Sequence, residues 1–182
     1  MLKNVAIFFG IVLFIFFAAQ ELLSFEEFSD VSGSVIDYAD SVKSLEANVS
    51  KVVDGDTIKV GVFDEQITIR LIGVDTPESV HPQKEVECFA LEASQFVKDN
   101  LLGKTVTLIP DPTQGDEDKY GRKLRYVYLE DGSNFNEAII KNGYGHEYTY
   151  NIPYQYQSEF IAAEKYAHEN FLGLWAEGVC VN

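Results

Sequence analysis

Arginine is almost missing from this chain: three residues, against eleven lysines, among 182. Positive charge as a whole is scarce, with 14 Lys and Arg facing 29 Asp and Glu for a formal net charge of -15 at pH 7. That sign argues against a general polycation that binds nucleic acid by displacing counterions along its whole surface. The acidity is not confined to one end, since residues 1–46 carry seven acids and two bases and residues 47–182 carry 22 acids and 12 bases. Histidine is limited to His81, His146 and His168, scattered with no paired ligand spacing, and cysteine to Cys88 and Cys180, neither with the neighbours of a nucleophile. Zinc chemistry and thiol catalysis are thereby excluded. A hydrophobic content of 46% excludes a disordered chain and allows one domain with a proper core.

Against this background the placement of arginine carries information. Arg70 lies in Arg70-Leu71-Ile72-Gly73-Val74-Asp75-Thr76-Pro77-Glu78, and Arg122 ends Asp118-Lys119-Tyr120-Gly121-Arg122. A third cluster, Asp54-Gly55-Asp56-Thr57, precedes both. Together they offer carboxylate oxygens for a hard cation and planar guanidinium forks, which lysine does not replace, for a phosphate. This combination points to phosphodiester chemistry. Any attraction of a polyanion has to be local, and Arg70, Lys84, Lys119, Arg122, Lys123 and Arg125 are the candidate patch, with repulsion elsewhere reaching about 8 Å at physiological salt. Weak substrate affinity and a dependence on a divalent ion follow. The bland account of the acidity is a solvated surface.

Short β-branched runs organise the middle of the chain. Val49, Val52 and Val53, then residues 57–62, then 67–72, broken by Asp54-Gly55-Asp56 and Asp64-Glu65, predict a three-stranded antiparallel meander. Alternation puts Ile67, Ile69 and Leu71 on one face and Thr68, Arg70 and Ile72 on the other. Further strands are expected over 105–109 and 124–129, with helices over 91–102, from Asn134 to Lys141, and over about 154–170. Asn134 with Glu137 three residues on reads as a capping box.

The ends are different in kind. Lys3 precedes an apolar stretch over residues 5–19, followed by acids, which is the pattern of an export signal. Phe16 and Phe17 stand where a cleavage site would want small residues, so residues 1–23 are either a signal peptide or a retained membrane anchor; a buried core helix is the remaining alternative. The rest of the chain is expected outside the cytoplasm, secreted or tethered. Residues 24–46 read as an acidic tether and 47–182 as the folded domain. In an exported protein two cysteines favour one disulfide, here Cys88 to Cys180, worth about 4–5 kcal/mol in the chain-entropy model. Two buried thiols are the alternative.

The three clusters, with His81-Pro82, Glu92-Ala93-Ser94 and Gly173-Leu174-Trp175, resemble the thermonuclease (micrococcal nuclease) family in order and spacing over roughly residues 48–177. The resemblance implies an α+β fold, a five-stranded oligonucleotide-binding barrel with three helices, and a monomeric, calcium-dependent, sugar-nonspecific endonuclease leaving 3'-phosphate ends on DNA and RNA. It implies that Asp56, Asp75 and the main-chain oxygen of Thr76 hold Ca2+, which takes six to eight oxygens and leaves room for water and a phosphate. Glu78 would orient or deprotonate water, and Arg70 and Arg122 would stabilise the five-coordinate phosphorus. Lys84, Lys119 and Tyr120 match substrate-contact positions, and Tyr148 and Tyr150 a pair that packs on the nucleotide, single strands being favoured. Asp54 is expected to be an ordinary turn residue and Arg125 a surface ion pair. The acidic loop over 111–117 and Gln83 beside Lys84 depart from the pattern. The competing reading is a noncatalytic barrel that binds nucleic acid or a protein.

Overall fold

The computed structural model describes residues 44–80 and 85–180. The leader, almost all of the tether, His81 and Lys84 lie outside the described residues. Among the described residues no helix is long and apolar enough to cross a membrane.

The expected meander forms. Strands β1 (Leu45–Val52), β2 (Thr57–Val62) and β3 (Glu65–Leu71) pair antiparallel in that order. Strand β1 starts four residues before Val49, because it serves two neighbours: residues 48–52 face β2, and residues 45–48 face β5 (Thr105–Ile109). An irregularity in register between Val49 and Lys51 lets one strand bend between both partners. β5 pairs antiparallel with β6 (Lys123–Tyr128), and β6 returns to β3 in parallel through three residue pairs, Ile69 with Lys123, Arg70 with Leu124 and Leu71 with Arg125. The order β1-β2-β3-β6-β5 is therefore a closed barrel, as expected, and leaves no open edge.

The inward positions explain why it closes. Val49, Ile58, Val60, Ile69, Leu108 and Val127 have no solvent exposure, and each contributes about 1.5–3 kcal/mol by leaving water. Helix α1 (Ala90–Leu101) buries Ala93, Val97 and Leu101. Helix α2 (Phe135–Lys141) starts as predicted at Asn134, whose side chain accepts from the backbone N–H groups of Asn136 and Glu137. Helix α3 (Gln157–Glu169) starts three residues later than expected. Tyr154 is instead turned inward, 5% exposed, with its hydroxyl donating to Glu147 Oε1 at 3.0 Å.

Two features escaped the sequence pattern. Val74–Asp75 (β4) pairs with His146–Glu147 (β7) as a two-residue ribbon outside the barrel, too short to show any periodicity. Asn136, fully buried, donates from Nδ2 to the carbonyls of Ile72 (2.9 Å) and Arg125 (3.1 Å) and accepts from Val127 N–H (2.9 Å). It thereby fastens α2 across the β3–β6 seam. Cys88 and Cys180 are disulfide-bonded across 92 residues, with Cα atoms 5.6 Å apart, in line with the first of the two alternatives.

Candidate functional site

The β3–β6 seam opens outward into a cleft of about 680 Å³. Of the residues singled out from the sequence, Arg70, Asp75, Lys119, Tyr120, Arg122, Tyr148 and Tyr150 line it. Asp56 is buried and reaches it through Arg70, and Thr76, also buried, donates its N–H to Asp56; Glu78 does not line the cleft. Lys84 lies outside the described residues.

Arg70 is the last outward position in the alternation of β3, between the buried Ile69 and Leu71, which aims it away from the core. One nitrogen, Nη2, contacts Asp56 Oδ2 at 3.1 Å and Asp75 Oδ1 at 3.3 Å. The other, Nη1, donates to the carbonyls of Leu71 at 2.9 Å and Val74 at 2.5 Å. Asp56 is held from three sides, since Thr57 Oγ1 donates to its Oδ1 (2.8 Å) and Thr76 N–H to its Oδ2 (3.3 Å). Gly55 permits this closeness, because a Cβ there would stand 2.6 Å from Thr76 Oγ1.

Two carboxylates meeting at one nitrogen in a half-dry place are electrostatically strained. Burial, with Arg70 opposing it and Asp56 adding to it, raises the Asp75 carboxyl above its ordinary value. Asp54 is pushed up to about 6, by burial first and the Asp56 charge second. A bound cation relieves such crowding, and the donors on offer are hard oxygens, so the set fits a divalent ion of the calcium type. Among the described residues no three Asp, Glu, His or Cys groups converge to hold a metal.

Arg122 comes from the turn before β6. Its Nε donates to Asp118 Oδ2 at 2.6 Å and its Nη1 to Thr57 Oγ1 at 3.2 Å, while Asp118 Oδ1 accepts from the backbone of Tyr120 and Arg122. Among the described residues Nη2 has no hydrogen-bond partner, which leaves one edge of the fork available to a ligand. Thr57 is thus a single hydroxyl joined to both Asp56 and Arg122. Sequence reasoning gave it no role, although its place directly after Asp56 was the available signal.

Tyr120, Tyr148 and Tyr150, singled out from the sequence, are all exposed. Tyr120 is 72% exposed, with Lys119 Nζ 5.0 Å and the Arg122 guanidinium 5.4 Å from its ring centre. Tyr148 and Tyr150 sit 6.4 Å apart at 46°. Their segment is held from below by Glu147, whose Oε1 accepts from Thr149 Oγ1 at 2.6 Å and from Tyr154. It is also clasped to the acidic loop, where Asp111 accepts from Gln155 N–H at 2.7 Å and from the Tyr126 hydroxyl.

The six-residue basic patch requires correction. Arg70 is paired with Asp56 and Asp75, Arg122 with Asp118, Lys123 with Asp116 and Glu117, and Arg125 with Asp116. Among the described residues only Lys119 of that group lacks a carboxylate partner. The ion pair expected for Arg125 is present at 2.6 Å. The acids over 111–117 are consumed by neighbouring cations and hydroxyls, so the loop's charge is largely internal. Glu78 is likewise engaged locally: its Oε1 accepts from Val80 N–H at 2.8 Å, and its own N–H donates to Glu87 Oε2 at 2.9 Å.

A closed five-stranded barrel with helices at its side and an aromatic, cationic cleft on one wall defines the oligonucleotide-binding class of fold. The family model described as staphylococcal nuclease homologue matches residues 68–177. An uncharacterised protein of Bacillus anthracis is 43% identical over 144 residues, covering 76% of this chain and 66% of that one. The thermonuclease of Staphylococcus hyicus is 39% identical over 128 residues, covering 70% and 74%. Endonuclease YncB of Bacillus subtilis is 34% identical over 137 residues, covering 74% and 64%. The chain belongs to the staphylococcal nuclease homologue family.

Proposed function

We propose that this protein is an endonuclease that hydrolyses phosphodiester bonds in DNA and RNA, single strands favoured, with calcium as its cation and 3'-phosphate ends as its product. Acting outside the cytoplasm, secreted or held at a membrane by residues 5–23, is part of the same reading. The observation that carries it is the convergence of Arg70, Asp75 and Arg122 on one cleft, with Asp56 joined to Arg122 through Thr57. The named nuclease relatives support it.

The residues divide the work as follows. Arg70 and the free edge of Arg122 offer donors to non-bridging phosphate oxygens and favour the transition state, where their charge is greatest. A divalent cation bound by Asp56, Asp75 and the Thr76 main chain would supply further positive charge to the phosphate. Glu78 takes a proton from the attacking water as the new P–O bond forms and the P–O5' bond breaks. The leaving 5' oxygen takes a proton from solvent water and ends as a hydroxyl. Tyr148 and Tyr150 hold a base by stacking, worth about 1–3 kcal/mol per base and tolerant of sequence.

The test is cleavage of single-stranded DNA by the full chain with calcium and then with chelator. Activity should vanish on chelation, and Arg122→Ala should lower kcat by roughly 100- to 1,000-fold. Binding without cleavage in calcium would favour the noncatalytic barrel, and near wild-type turnover in Glu78→Gln and Arg122→Ala would refute the assigned roles.

A further inference from the structure

We propose that the Cys88–Cys180 disulfide is a positioning brace for Glu78, so that reduction of this bond slows turnover while the barrel stays folded. The inference rests on the reading of Glu78 as the residue that handles the attacking water. Glu78 is fixed to Glu87 twice: its N–H donates to Glu87 Oε2 at 2.9 Å, and Glu87 N–H donates to the Glu78 carbonyl at 3.0 Å. Glu87 is itself exposed, and the next residue is Cys88. On its far side, α1 begins without a side-chain cap, at Phe89 with φ 67°.

The other end of the bond is anchored in the body of the domain. Leu174 N–H donates to Gly143 O at 2.8 Å, and Val179 N–H to Ala176 O at 3.1 Å. The Trp175 ring lies edge-on to His146 and His168, with centroids 5.2 and 4.9 Å away. A covalent path therefore runs from the helical body through Cys180 and Cys88 to Glu87, and two hydrogen bonds carry it to Glu78. Neither cysteine contributes to the barrel core, whose strands close on their own hydrogen bonds. Loosening the path moves the carboxylate, and a displacement near 1 Å at a reacting group is enough for about a 100-fold loss of rate.

Cys88 is exposed, so a dithiol can reach the bond. Its thiolate attacks one sulfur to give a mixed disulfide, and its second thiol resolves it. Two electrons and two protons pass to this chain, leaving two thiols, and the reductant departs as its own disulfide.

The experiment measures kcat and KM of the full chain on single-stranded DNA, oxidised and after dithiothreitol, with far-UV circular dichroism at the assay temperature. The same is done for Cys88→Ser/Cys180→Ser, for Glu87→Ala and for Glu78→Gln. Reduction, the serine pair and Glu87→Ala should each lower kcat by roughly tenfold or more with KM within about twofold, with secondary structure kept. Reoxidation should restore the wild type, and reduction should cost Glu78→Gln nothing further. An unchanged kcat on reduction, an equal fall in Glu78→Gln, or loss of the dichroism signal overturns the brace. If oxidised Glu78→Gln turns over like wild type, the assignment of Glu78 fails first; if that variant is slow and reduction is silent, only the brace fails.

Discussion

Replacing Asp111 with alanine should unfold this protein at a much lower denaturant concentration, although Asp111 belongs to a loop. The carboxylate is 5% exposed. It accepts from Gln155 N–H at 2.7 Å, from Thr113 N–H at 2.6 Å, from Thr113 Oγ1 at 2.7 Å and from the Tyr126 hydroxyl. Burial comes first in pushing the Tyr126 hydroxyl far up, with Asp111 adding to it, so the tyrosine stays protonated and remains the donor. Alanine leaves the Tyr126 hydroxyl and Gln155 N–H without an acceptor, at about 1–3 kcal/mol each, and loses the bonds to Thr113 as well. The expected cost is roughly 3–5 kcal/mol, read in urea as a lowered midpoint at unchanged slope. The pH dependence has a definite sign. Burial would raise the Asp111 carboxyl, but the hydrogen bonds from Tyr126, Gln155 and Thr113 outweigh it and hold it below the ordinary 3.8. Its contribution is therefore complete above that ordinary value and is lost as pH falls through the lowered native value. The gap between wild type and Asp111→Ala should be constant near neutrality and shrink below about pH 4. A loss under ~1 kcal/mol at pH 7, or a gap that widens in acid, would refute the reasoning.

Thr57→Val keeps the shape but removes the hydroxyl between Asp56 and Arg122. We expect kcat to fall by roughly 10- to 100-fold at little change in melting temperature, with Thr57→Ser recovering most of it in steady-state assays. Gly73→Ala places a Cβ 2.5 Å from the Tyr154 ring at φ +74°. A stability loss of about 2–4 kcal/mol in urea should accompany a higher KM, because Gly73 O also holds Tyr148 N–H at 3.1 Å. Asp116→Asn frees Arg125 of its carboxylate and leaves Lys123 only Glu117; KM for single-stranded DNA should drop at low salt, and the difference should disappear near 1 M salt, where screening acts within about 3 Å.

The barrel was legible because its strands are β-branched runs separated by turn residues, a local signal that burial on one face reinforces. The first four residues of β1 were not, since Leu45-Glu46-Ala47-Asn48 owes its strand state to Thr105–Leu108, 57–63 residues away in pairing. The two-residue ribbon β4–β7 is below the length at which alternation exists. At the site, the placement of Arg70 and Arg122 was readable from their scarcity and their motifs. Charge counting alone misjudged the basic patch, because it does not reveal that Asp116 and Asp118 fold back onto Lys123, Arg125 and Arg122. Asp111 and Glu147 were invisible for the same reason: a carboxylate becomes an organiser only when distant donors arrive at it.

The barrel is closed along β3 and β6 by three residue pairs, and Arg70 belongs to one of them while Arg122 directly precedes that stretch of β6. The two guanidinium groups thus sit at the one parallel seam of the cylinder. Both groups are therefore carried by one parallel join, and any slip of β6 along β3 would change their spacing.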